Sequence, residues 1–175
     1  SAANAAGWNG EGVKVAVHDS PALYNHEQFG SNPGAGKTND QIFEYLYDTG
    51  DPANYHGTGT LSLLVGNPDG TPTEADSASE PTDGSGSFEG FANMATAQFQ
   101  DSGGAPLPSW LDYPDQILLD AYNAGVVVHS NSWGLDTIAD GSYSDLDEGW
   151  DDGSLTYPTM QIYVSCGNWG QDGDY

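Results

Sequence analysis

Short, nearly unbroken apolar runs, each closed by glycine or a polar residue, constrain this chain most. They are Val13-Lys14-Val15-Ala16-Val17, Leu61–Val65, Ile117–Leu119 and Val126-Val127-Val128. The first follows Gly10 and Gly12, and the last follows Gly125, so both read as buried strands. Between them lie segments with helical signals. Asp40–Asp48 is predicted as a short helix carrying Ile42, Phe43, Tyr45 and Leu46. His56-Gly57-Thr58 opens a second helix running through Gly59–Val65 and closed by Gly66 and Pro68. Pro114–Asn123 places Ile117, Leu118, Ala121 and Tyr122 on one face, with Gly125 as its stop. Ala95–Gln100 and Gln161–Ser165 complete the strands. Residues 67–87 read as an exposed loop, and Asp140–Gly153, with six acidic residues, as an acidic loop. Strand and helix alternate, and continuous Val and Ile runs suit strands covered on both sides. The expected fold class is therefore α/β: an open, mostly parallel sheet with helices on both faces. No internal repeat is present.

Composition tests that reading. Leu, Ile, Val and Phe make up 29 of 175 residues, a fraction typical of disordered chains. Twenty aromatic residues and the clustering of the apolar runs supply a core nonetheless. The chain carries 26 Asp and Glu against Lys14 and Lys37, with no Arg, for a formal net charge of -24. Such a charge repels nucleic acid and anionic membranes, which excludes both as partners. No run of about 18 apolar residues occurs, so no membrane span is expected. Nor does a basic region precede an apolar stretch, which fits an exported chain whose leader is already removed. Acidity of this kind suits high salt, where screening weakens self-repulsion, and it equally suits calcium as a structural ion. The candidate calcium ligands are Asp140, Asp145, Asp147, Asp151 and Asp152, or Asp69 with Asp76, and a solvated acidic loop is the competing reading. Lone Cys166 rules out an internal disulfide and reads as a buried packing residue.

In open parallel sheets, chemistry gathers at the carboxyl ends of strands. Three groups stand there. Asp19 follows the first strand and could accept a histidine ring N–H, fixing its tautomer. His56 begins a helix, which would hold its backbone while the ring projects into a cleft. Asn168 ends the last strand, where its amide could donate to a developing oxyanion. Each is weak alone; their order and their places at element ends carry the signal.

At these residues the chain resembles the subtilisin-like serine proteases. Gly10-Glu-Gly-Val-Lys-Val-Ala-Val-His-Asp19-Ser is similar to the family's first strand and aspartate motif, and His56-Gly57-Thr58 to its histidine motif. Gly90-Phe-Ala-Asn-Met-Ala95 resembles a segment leading into the next strand. Gly125-Val-Val-Val-His-Ser-Asn-Ser132-Trp133-Gly134 resembles the strand lining the substrate cleft, and Val164-Ser-Cys-Gly167-Asn168 the segment bearing the oxyanion asparagine. The resemblance implies a catalytic Asp19, His56 and Asn168. It implies that Ser130, Asn131, Ser132, Trp133 and Gly134 bind an extended peptide or protein substrate as an added strand. No cofactor is implied for catalysis, and structural calcium is frequent in the family. The implied location is extracellular.

The sequence also departs from that family. Ser20 replaces the usual Thr, His18 precedes the aspartate, Gly59 replaces a second histidine, and Ser62-Leu63 replace Ala-Gly. No Gly-Thr-Ser nucleophile motif occurs. Residues 1–175 therefore read as the N-terminal part of a subtilisin-like peptidase domain, with the serine on a missing segment or a second chain. The alternative is a non-catalytic structural or assembly module. A remote alternative is a P-loop nucleotide binder at Asn32-Pro-Gly-Ala-Gly-Lys37-Thr38, where Ser31 stands in place of the first required Gly. His18, His26 and His129 lack structural-zinc spacing and read as ordinary core or surface histidines.

Overall fold

A computed structural model describes residues 6–29, 37, 40–48, 55–67, 90–103, 114–133 and 143–166. Five strands form one sheet: β1 (Lys14–Asp19), β2 (Ile42–Leu46), β3 (Thr96–Asp101), β4 (Val128–Asn131) and β5 (Gln161–Val164). Their order is β2-β3-β1-β4-β5, and every pairing is parallel. Three α-helices accompany them among the described residues: α1 (Tyr55–Val65), α2 (Asp115–Asn123) and α3 (Asp145–Thr156). The expected open parallel α/β architecture is thus the one observed.

Strand alternation sorts the core into two layers. Val15 and Val17 of β1 join Ala97 and Phe99 of β3, and Leu61 and Val65 of α1 cover them. Ala16, on the opposite side, meets Ile117, Leu118 and Ala121 of α2 and Trp150 of α3. Helices therefore cover both faces. Phe99, Leu61, Ile117 and Leu118 are fully buried, at about 1.5–3 kcal/mol each for removal from water.

Four local expectations are corrected. Asp40–Asp48 contains strand β2, not a helix. Ile42, Phe43 and Tyr45 are strand formers, and Ile42 and Tyr45 pair with Ala97 and Phe99 of β3. The strand expected at Val126–Val128 lies at Val128–Asn131, so its second half is polar. The acidic loop Asp140–Gly153 holds most of helix α3. Ser144 caps that helix in a reciprocal pair with Asp147, and acidic residues in its first turn suit the helix dipole. Cys166 is exposed, because it follows β5, whose residues are largely solvent-facing. The loop expected at 67–87 lies outside the described residues except for buried Asn67.

Candidate active site

Asp19 is the last residue of β1, the central strand, and lies at its carboxyl end. The next strands on either side, β3 and β4, are reached in opposite directions along the sheet. That reversal opens a crevice in parallel α/β sheets. Asp19 shares a face with Val15 and Val17, the face that α1 covers. Its side chain is 1% exposed. Oδ1 accepts from the Ser20 backbone N–H at 2.7 Å and from Ser20 Oγ at 3.1 Å. The same oxygen lies 2.7 Å from His56 Nδ1.

Each residue of the His-Gly-Thr turn has a separate task in this arrangement. His56 stands in the first turn of α1 and points Nδ1 at Asp19, while half of its side chain stays exposed. Gly57 brings the helix against the end of β1. A Cβ there would lie 1.8 Å from the Ser20 carbonyl oxygen, so only glycine fits. Its N–H donates to Ser20 Oγ at 3.2 Å. Thr58 Oγ1 accepts from the Leu23 N–H at 2.9 Å, tying the helix to the segment after β1. Ser20, noted in the sequence only as a departure from Thr, links Gly57 to the Asp19 carboxylate by one hydroxyl.

Chemically the pair is an oriented base. A carboxylate fixed by two donors from Ser20 can only accept from the ring, so Nδ1 is the protonated nitrogen and Nε2 the basic one. The buried carboxylate also stabilises the imidazolium formed when that nitrogen takes a proton.

Asp101 ends β3 directly beside Asp19, its register partner. It accepts from the Gly103 N–H at 2.7 Å and from the Tyr45 hydroxyl at 3.2 Å. Burial pushes its carboxyl above the usual range, and burial pushes the Tyr45 phenol up as well. Sequence reading missed both, since neither stands in a recognisable motif; their only signal is position at a strand end.

The remaining candidates divide. Ser130 and Asn131 lie inside the sheet. Their register partners are Val17 and His18 on β1 and Tyr163 and Val164 on β5, so neither offers a free edge to a substrate. Ser132 and Trp133 lie just beyond β4, and the Trp133 carbonyl accepts from Ser165 Oγ at 2.9 Å. Gly134 and Asn168 lie outside the described residues. So does the P-loop-like segment apart from Lys37, which pairs with Asp48 at 2.6 Å and sits 4.7 Å from the Tyr45 ring centre. Asp69, Asp76 and Asp140 also fall outside. Asp145, Asp147, Asp151 and Asp152 are on α3, where Asp147 serves the cap and Asp151 accepts from Tyr143 at 2.6 Å. Among the described residues no three His, Cys, Asp or Glu side chains gather as a metal site.

No protein-family model matches the chain. Over 130 residues, 70% of its length, it is 35% identical to the serine protease/ABC transporter B family protein tagD of Dictyostelium discoideum. Over 125 residues it is 33% identical to the tagB protein of the same name and organism. Each match covers 6% of the relative, so the link to a protease is distant and concerns a small part of those proteins. No helix among the described residues is long and apolar enough to cross a membrane.

Proposed function

We propose that this chain supplies the acid–base half of a subtilisin-type serine endopeptidase acting on peptide or protein substrates outside the cell. The observation that carries the reading is the 2.7 Å contact from His56 Nδ1 to a buried Asp19 at the carboxyl end of the central strand. In this scheme His56 Nε2 takes the proton of a serine hydroxyl as that oxygen attacks the scissile carbonyl. It then returns the proton to the leaving amine. Asp19 holds the ring and its charge throughout. Asn168 is assigned the oxyanion, and Ser132 to Gly134 the substrate backbone. The serine is assigned to polypeptide beyond this sequence, on the same or a second chain, consistent with the small share of the relatives that the match covers. The words "serine protease" in the relatives' names agree with the scheme at the level of reaction class. Calcium enters the proposal only as a structural ion and takes no part in catalysis.

A fluorophosphonate probe tests the scheme on the full-length protein. Covalent labelling is expected for the parent protein and its loss for His56→Ala. Labelling that survives the substitution removes His56 from the catalytic role.

A further inference from the structure

The sheet side opposite the catalytic pair is unexpectedly polar. Gln98, Gln100, His129 and Asn131 are each no more than 2% exposed there. They form one chain of hydrogen bonds across four strands. Gln98 Nε2 donates to Glu44 Oε2 at 2.7 Å, and Gln100 Nε2 donates to Gln98 Oε1 at 2.8 Å. His129 Nε2 meets Gln100 Oε1 at 3.0 Å, and Asn131 Nδ2 meets His129 Nδ1 at 2.9 Å. The His129 link passes over β1 between Ala16 and His18. Ala16 pairs with Gln98 and His129, and His18 with Gln100 and Asn131, so the small Ala16 leaves room for the diagonal.

The direction of this chain is set at its ends by groups that can only accept. Asn131 Nδ2 also donates to the Tyr163 carbonyl at 3.1 Å, so its amide cannot turn round. His129 Nδ1 must then accept, and the proton must sit on Nε2. Gln100 agrees independently, because its Nε2 donates to the Ile117 carbonyl at 2.8 Å and leaves Oε1 for the imidazole. Beside this chain lies Trp133. Its ring centre is 5.4 Å from that of His18, edge to face, and 6.3 Å from that of Trp150. The side chain of Trp133 is thus anchored beneath the sheet while its backbone continues from β4 to the proposed cleft.

We infer that His129 is a positioning residue, fixed as the neutral Nε2–H tautomer, which locks β4 between β1 and β5 and so seats Trp133 at the rim of the substrate cleft. The cleft role of that rim rests on the protease reading above; the seat itself does not. The titratable groups around His129 are His18 from β1, Glu44 of β2 through Gln98, and Asp120 of α2 with Tyr47 bonded to its carboxylate. From α3 it meets the uncharged Trp150. None of these offers His129 Nδ1 an acceptor, so a second proton there would face the Asn131 amide donor.

The test uses the full-length protein labelled with 15N-histidine. Long-range proton–nitrogen spectra from pH 8 to pH 5 are expected to show His129 as Nε2–H throughout. A proton on Nδ1, or titration near the ordinary histidine value, overturns the assignment. A second arm compares His129→Gln, which keeps a donor and an acceptor, with His129→Leu, which keeps neither. With 5-fluorotryptophan, the Trp133 resonance, identified by its loss in Trp133→Phe, is expected to stay in place in the Gln variant and to move in the Leu variant. The KM for peptides should rise about tenfold in the Leu variant with kcat within about twofold, and return in the Gln variant, the factor expected for one or two lost hydrogen bonds. An unmoved Trp133 resonance in a folded Leu variant overturns the seat. If that variant does not fold, Asn131→Asp decides. Its carboxylate accepts where the amide donated, so Nδ1 must become protonated, and a persistent neutral Nε2–H form overturns the chain. The spectra judge the seat whether or not peptides are cleaved, while absence of cleavage by the parent protein counts against the protease reading alone.

Discussion

At the scale of single residues, the site depends on an absence of atoms as much as on His56 and Asp19. Gly57 lets α1 approach the end of β1, and any Cβ there collides with the Ser20 carbonyl. Backbone on both sides of the collision cannot be relieved by a rotamer change. Gly57→Ala is therefore expected to lower stability by about 1–3 kcal/mol in urea unfolding and to lose probe labelling, because the helix must withdraw His56 from Asp19. Labelling at the parent rate in Gly57→Ala would contradict the close approach. Asp19 and His56 were legible in the sequence, since each stands in a short motif at an element end, whereas the tight approach at Gly57 comes from the packing of α1 on β1 alone. His129, Gln98 and Gln100 were not legible. Alternation of polar with apolar residues is ordinary for a strand, and only the packing of α2 and α3 shows these polar residues to be buried. Asp101 and Tyr45 were missed for a related reason: Asp101 matters through its register with Asp19 of β1, and Tyr45 through its hydroxyl bond to Asp101, and no local pattern records either.

At the scale of elements, the outcome depended on which signal was local. Val13–Val17 is a continuous apolar run and emerged as β1 with a boundary shift. Asp40–Asp48 was misread because Ile42, Phe43, Tyr45 and Leu46 fit a helical face as well as a strand. The pairing with β3, a contact across more than 50 residues, decides for the strand. Helix α3 carried a local signal that acidity obscured. Ser144-x-x-Asp147 is a capping pair, with Ser144 Oγ 2.6 Å from Asp147 Oδ2. The Ser144 hydroxyl and backbone hydrogen bonds hold the Asp147 carboxyl below its usual value. Ser144→Ala is accordingly expected to cost about 1 kcal/mol in urea unfolding at pH 7. The sign for Asp147 follows from its lowered value. Its contribution is present above the unfolded pKa and fades as pH falls through the folded one, so the penalty of the alanine variant should shrink in acid. A penalty unchanged at low pH would mean that Asp147 takes no part in the cap.

At the scale of the whole molecule, the two buried histidines make folding sensitive to acid. Burial pushes His129 down to about 3, and burial together with the neighbouring His129 does the same to His18. Both are fully buried, so solvent does not discount the effect. Unfolded, each titrates near the ordinary histidine value of about 6.5. Between that value and about 3 the unfolded chain binds up to two more protons than the folded one. Stability must then fall as pH falls, by up to about 1.4 kcal/mol per pH unit for each histidine. Two other groups of charges act against this. The Asp101 carboxyl is raised by burial, so the folded state takes up its proton first and gains stability as pH drops below the folded value. Neutralising other carboxylates also relieves the repulsion of a chain carrying a net charge of -24, and salt screens that repulsion. The relief of repulsion acts mainly below about pH 5, where ordinary carboxylates protonate, and an Asp101→Asn background removes the Asp101 term, whereas the histidine term begins near pH 6.5. Urea unfolding at fixed ionic strength between pH 7 and pH 5.5 isolates it. The unfolding free energy is expected to drop steadily across that window, and His129→Gln should remove about half of the slope. A flat profile in the parent protein, or an unchanged slope in the variant, would show that His129 is not held neutral in the folded state, and the polarity of the chain beneath the sheet would have to be reassigned.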